Sequence, residues 1–69
     1  MKHNVDIMKI KPSYAERIID TRKPLGLFYL LDNGIYIGID NSTGDAWTEE
    51  FTSLYQCKKW LRNPSILYT

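Results

Sequence analysis

Asp40, Asp45, Glu49 and Glu50 form the densest group of carboxylates in the chain, and such a group can hold a hard cation or divide acid–base work. An EF-hand calcium loop requires Gly at its sixth position and Glu at its twelfth; counted from Asp40, those positions hold Asp45 and Phe51. Asn41, Ser42, Thr43 and Gly44 are turn formers, and an Asp preceding such a run hydrogen-bonds the turn's own backbone. The segment therefore reads as a structural turn. Paired acids for hydrolysis would also need a cleft, and one small sheet offers little concavity.

The other reactive side chains stand apart. His3 is the only histidine and has no Cys or carboxylate at ligand spacing, so no metal or other cofactor is expected. Cys57 is the only cysteine; it falls on an apolar stripe with no neighbouring base, which predicts core filler and not a nucleophile. Phosphate-binding loops, dinucleotide fingerprints and Ser-His-Asp sets are missing, so the chain is not expected to be an enzyme. Lys9, Lys11, Arg17, Arg22 and Lys23 gather around the first strand and helix, either as a solvated face or as phosphate contacts.

The elements that position these residues are legible from periodicity and turn chemistry. Val5 to Lys11 suits a short strand, and Pro12 sets up a helix start. Ser13 and Glu16 read as a capping box, and Tyr14, Ala15, Ile18 and Ile19 as an apolar stripe on about two turns. Pro24 disfavours helical geometry at Lys23 and ends that element. Leu27 to Leu31 is an apolar strand followed by Asp32-Asn33-Gly34, and Asn-Gly is the preferred pair of a type I′ turn. A two-residue turn sets Asp32 opposite Ile35, Leu31 opposite Tyr36, Leu30 opposite Ile37, Tyr29 opposite Gly38 and Phe28 opposite Ile39. One face then carries Phe28, Leu30, Ile35, Ile37 and Ile39 as the core. The other carries Leu27, Tyr29, Leu31 and Tyr36, with Tyr29 over the bare backbone of Gly38.

A third strand ends near Phe51. A three-residue loop with a bulge at Gly44 would put Trp47 and Phe51 on the isoleucine face, and a four-residue loop would invert them. The first is favoured, because burying both rings adds several kcal/mol at about 25 cal/mol per Å². Ser53 and Gln56 form a second capping box before a helix striped by Leu54, Cys57, Trp60 and Leu61, which Asn63-Pro64 stops. The expectation is an α+β domain of order β-α-β-β-β-α: a small antiparallel β-meander of three or four strands with both short helices on one face.

At 69 residues the chain is a single small domain, 1–69, with residues 1–4 and the tail 65–69 as candidate flexible ends. A composition 43% hydrophobic and 25% charged is that of a globular protein, and a net charge of +1 fits neither a general nucleic-acid binder nor a DNA mimic. One cysteine permits no internal disulfide, and neither a signal-peptide core nor a membrane span is visible. The expected location is therefore a reducing cytoplasm, with no membrane association.

The blocks Pro24-Leu25-Gly26-Leu27-Phe28-Tyr29, Ile37 through Phe51 (with Asp40-Asn41-Ser42-Thr43-Gly44-Asp45-Ala46-Trp47) and Cys57-Lys58-Lys59-Trp60-Leu61 resemble a family of short uncharacterised accessory proteins. These are carried by phages and prophages of Gram-positive bacteria. The resemblance covers most of the chain; it implies a viral accessory origin and no established activity. Ile10 to Lys23 is similar to the opening of ASCH domains, PUA-like barrels linked to RNA. That opening has Gly where Thr21 stands and a Glu-x-Arg strand soon after, so no functional residue is carried over.

The resulting expectation is a phage-encoded, non-enzymatic protein-interaction module that binds and modulates an unidentified host protein in host takeover or counter-defence. Its contact surface would be Leu27, Tyr29, Leu31, Tyr36 and Glu50, since aromatic residues carry much of interface energy. The alternative is a small RNA- or DNA-binding accessory protein using Lys9, Lys11, Arg17 and Arg22. A homodimer through the uncovered tyrosine face, or through the apolar tail, is also expected to be competitive with the monomer.

Overall fold

The structure is a computed structural model that describes residues 6–62. Its elements are β1 (Ile7–Lys9), α1 (Pro12–Thr21), β2 (Gly26–Asp32), β3 (Ile35–Asn41), β4 (Trp47–Phe51) and α2 (Leu54–Arg62). They form one four-stranded sheet in the order β1-β2-β3-β4. The α+β class and the element order are those expected from the sequence. His3, Val5, the Asn63-Pro64 stop and the flexible ends expected at 1–4 and 65–69 lie outside the described residues.

The hairpin follows its turn chemistry. Asn33 and Gly34 take φ of 52° and 79°, and β2 pairs β3 in the register that a two-residue turn dictates, from Asp32↔Ile35 to Phe28↔Ile39. The first strand departs from a pure meander. β1 runs parallel to β2, with Ile7↔Leu27 and Lys9↔Tyr29, so the sheet is mixed. Parallel neighbours need a crossover, and α1 is that crossover.

Helix α1 starts at Pro12 with Lys11 as N-cap and no side-chain cap bond, so Ser13 sits inside the first turn and makes no capping box. Proline at the first helical position has its φ already set and lacks an N–H to orphan, which suffices to start the helix. The helix ends at Arg22, whose N–H still donates to Ile18 O at 2.6 Å and whose left-handed φ of 60° turns the chain out of the helix. In α2, Ser53 does cap: its Oγ accepts the Gln56 N–H at 3.2 Å.

The two helices cover opposite faces, which corrects the expectation of one helical layer. Ala15 and Ile18 of α1 bury against Phe28, Leu30 and Ile39, with Ile10 and Ile37 around them. Cys57, Trp60 and Leu61 of α2 bury against Ile7, Leu27, Tyr29, Tyr36 and Phe51. The physical reason lies in β4. Asp40 pairs Trp47 and Tyr36 pairs Phe51, so an even number of residues intervenes and both rings fall on the tyrosine face. That overturns the bulged three-residue loop and the placement of Trp47 and Phe51 with the isoleucines. A chain leaving β4 beside Phe51 delivers α2 to the same face, where its apolar stripe finds cover. The result is a helix, a sheet and a second helix in three layers.

Gly38 makes this packing possible. A Cβ there would stand 3.1 Å from two ring carbons of Trp60 and 3.2 Å from Cys57 Sγ, so α2 rests on bare backbone. Trp60, and not Tyr29, occupies that space. Among the described residues, no helix is long and apolar enough to cross a membrane.

Candidate functional site

The five residues expected to form one contact surface do not do so. Leu27, Tyr29 and Tyr36 come together, but as half-buried parts of the α2 core. Lys58 reaches over Tyr29, its Nζ 5.7 Å from the ring centroid. Leu31 stays exposed at the hairpin end, and Glu50 lies on the opposite face, across from Ile37. The tyrosine face is therefore largely covered by α2 within the chain, and of its large apolar side chains Leu31 and Trp47 stay exposed. The tail that could also have mediated a dimer lies outside the described residues.

The carboxylate-rich turn is built as structure. Asp40 Oδ1 accepts the Ser42 N–H at 3.0 Å and the Ser42 hydroxyl at 2.7 Å, the turn-forming role read from sequence. Thr43 Oγ1 donates to Asp45 Oδ2 at 2.8 Å. The centre of the loop is Asn41, 0% exposed. Its Nδ2 donates to Pro24 O at 2.8 Å, and its Oδ1 accepts the Ala46 N–H at 3.0 Å. Ala46 is thereby held at φ 50°, a left-handed conformation that costs a non-glycine residue about 1–2 kcal/mol. Among the described residues, no three His, Cys, Asp or Glu side chains converge as a metal site.

Arg22 belongs to the same loop. Its Nε donates to Ile19 O at 3.0 Å, and Nη1 donates to Asp45 O at 3.1 Å and to Gly44 O at 3.3 Å. This guanidinium ties the end of α1 to the β3–β4 loop and stands apart from the other cations.

Lys9, Lys11 and Arg17 do converge. With Met8, Ile10, Ser13 and Tyr14 they line an open groove of about 800 Å³ between the β1 edge and the flank of α1. No carboxylate lines it. Met8 is 56% exposed and Tyr14 is also exposed, so the groove offers apolar surface between its cations. Tyr14 and Arg17 are three apart on α1, a spacing that places them along one flank of the helix, beside Ile10 in the segment before it. Sequence reading missed Met8 and Tyr14; the available signal was a large apolar residue in a strand too short to be central.

The far edge has the opposite character. Trp47 is 51% exposed, and Thr48, Glu49 and Glu50 of β4 are exposed beside it. Trp47, Glu49 and Phe51 share the α2 face while Thr48 and Glu50 share the α1 face. The two edges of the sheet are thus cationic at β1 and anionic at β4.

Cys57 is buried, and desolvation pushes its thiol from 9.0 up to about 11, only partly offset by the nearby Lys58 charge. The neutral thiol favours the folded chain below pH 9.0, and this contribution is lost as pH rises towards about 11. Alkylation by iodoacetamide at about pH 8 should therefore run at least about a hundredfold slower in the folded protein than in denaturant. Equal rates in the two states would show an accessible thiolate.

Comparison with protein-family models, curated proteins and solved structures gives no match to this chain.

Proposed function

We propose that this chain is a non-enzymatic protein-interaction module, encoded by a phage or prophage, that binds and modulates a host protein. The observation that supports it is the state of the sheet's edges. Among the described residues both β1 and β4 lack a further strand, and each carries a large exposed apolar side chain, Met8 and Trp47. Exposed strand edges flanked by apolar side chains are surfaces that another chain can cover. The phage-protein resemblance supplies the setting of host takeover or counter-defence.

The test is site-specific photo-cross-linking in Gram-positive host cells, with the reactive residue placed in turn at Tyr14, Leu31, Trp47 and Tyr55. One predominant host-protein adduct, formed at neighbouring positions and absent at the others, is the expected result. Self-adducts alone, or no adduct, would remove the reading.

A second reading, a small nucleic-acid-binding accessory protein, is favoured by one observation: Lys9, Lys11 and Arg17 share a groove that no carboxylate lines. Arg22 does not contribute to it. Binding through phosphates would weaken steeply between about 50 and 200 mM salt.

A further inference from the structure

We infer that the groove between β1 and α1 takes an extended acidic segment of the partner protein, added as a fifth strand on the β1 edge. The inference rests on the interaction-module reading and specifies its partner. Among the described residues β1 lies at one end of the sheet order, paired with β2 alone. Ile10 donates its N–H to Tyr29 O at 2.8 Å, and in a parallel pair the backbone groups of alternate residues point to opposite sides. The N–H and C=O of Ile7 and Lys9 therefore point away from β2, towards a side that no other described strand pairs. An edge offering donors and acceptors alike is complementary to a peptide, which has both.

Charge decides which peptide. On the α1 side, an added strand meets Met8, Tyr14, Lys11 and Arg17. On the α2 side, Lys58 and Arg62 flank Ile7 in a second shallow depression, whose only carboxylate is Asp6. Lys9 lines the α1-side groove at the sheet edge, while its pairing with Tyr29 starts its side chain from the α2 face, so its charge stands between the two. Both faces of an incoming strand would thus be met by cations, with Met8 and Tyr14 giving apolar contact between them. Carboxylates on both faces of the strand, with an apolar residue against Met8 and Tyr14, satisfy this surface. A nucleic-acid strand satisfies it less well: phosphates bring acceptors only, so the outward carbonyls of Ile7 and Lys9 would face like partial charge, and Tyr14 is the groove's one stacking ring.

The experiment uses the full chain and three fluorescent probes: a short peptide of repeated Glu-Glu-Val, which carries carboxylates on both strand faces, its Lys-Lys-Val counterpart, and an oligothymidylate. Anisotropy at low salt should show binding of the Glu/Val peptide alone, weakened at least about tenfold by the Lys9→Glu, Lys11→Glu double substitution and by Arg17→Glu. These side chains are exposed, and circular dichroism checks that each variant stays folded. Amide exchange gives the second readout: strand addition slows exchange at Lys9. An unchanged Lys9 amide in the bound state would overturn strand addition. Failure to bind, equal binding of the Lys/Val peptide, or tighter binding of the oligothymidylate would each overturn the acidic-peptide assignment. So would self-association abolished by Glu49→Lys with Glu50→Lys, because the acidic strand would then be β4 of a second copy. Peptide binding without a host adduct sinks the module reading alone, and an adduct confined to Trp47 or Tyr55 sinks the groove alone.

Discussion

Replacing Asn41 by alanine should lower the stability of this domain by about 2–4 kcal/mol, because one buried side chain closes two hydrogen bonds whose partners it would leave unpaired. The amide donates to Pro24 O and accepts from the Ala46 N–H, joining the segment before β2 to the end of the β3–β4 loop. Its loss also releases Ala46 from its left-handed conformation, so the loop can relax away from the geometry that sets the register of β4. For a domain of this size, about 2–4 kcal/mol lowers the midpoint of thermal unfolding by roughly 10 °C or more. Melting followed by circular dichroism, with a urea titration beside it, measures the loss. A shift within about 0.5 kcal/mol, the range of ordinary surface substitutions, would show that the amide is dispensable.

Asn41→Asp sharpens the test. A carboxylate keeps the acceptor for Ala46 but sets a second oxygen against Pro24 O. The buried carboxylate should therefore hold its proton to higher pH in the folded chain than in the unfolded one. Its penalty, measured against the parent protein, is present at neutral pH and shrinks as pH falls through the raised folded value, where the protonated acid can donate to Pro24 O. A penalty independent of pH would contradict this geometry.

Gly38→Val should be of similar size, about 3 kcal/mol, and for the opposite reason: an addition with nowhere to go. The backbone at Gly38 is not in the left-handed region, so the effect is steric and not conformational. A Cβ alone would stand at 3.1 Å from the Trp60 ring, and valine adds two methyl groups beyond it. Trp60 has little freedom to retreat, being 5% exposed and in tilted contact with Phe51 at a centroid distance of 5.8 Å. Among the described residues its buried Nε1 meets no hydrogen-bond partner, and shape holds the ring. The expected result is a displaced α2, read as faster alkylation of Cys57 alongside the lost stability. Gly38→Ala combined with Trp60→Leu should be less destabilised than the sum of the two singles, because the smaller side chain vacates the space that the new methyl needs. Strict additivity would mean that the two positions do not press on one another.

These two positions also bear on function. Neither lines the β1–α1 groove: a folded Asn41 variant should bind an acidic strand unchanged, whereas Gly38→Val, by displacing α2, should also disturb the Lys58 and Arg62 contacts. Lys9, Lys11 and Arg17 should behave in the reverse way, with little effect on stability and a large effect on binding.

The sequence by itself determined the elements whose information is local. Asn33-Gly34 set the β2–β3 register because both turn residues tolerate positive φ and a two-residue connection leaves no freedom of pairing. Asp40 was readable as a turn former because its partner is two residues away. Ser53 was readable as a cap because its partner is three residues away. The burial of Cys57 followed from the stripe it shares with Trp60 and Leu61.

Only the tertiary structure decided what depends on partners distant in sequence. The face taken by Trp47 and Phe51 depended on loop parity, where one residue inverts every side chain, and burial favours whichever face receives a cover. The face taken by α2 followed from it, and with it the conversion of Leu27, Tyr29 and Tyr36 from a supposed contact surface into core. One local signal pointed that way: a glycine inside a strand often marks the close approach of another chain segment, and Gly38 does so for Trp60. The separation of Arg22 from Lys9, Lys11 and Arg17 had no such signal. It depends on carbonyls of Gly44 and Asp45, which only the folded loop brings within reach of the end of α1.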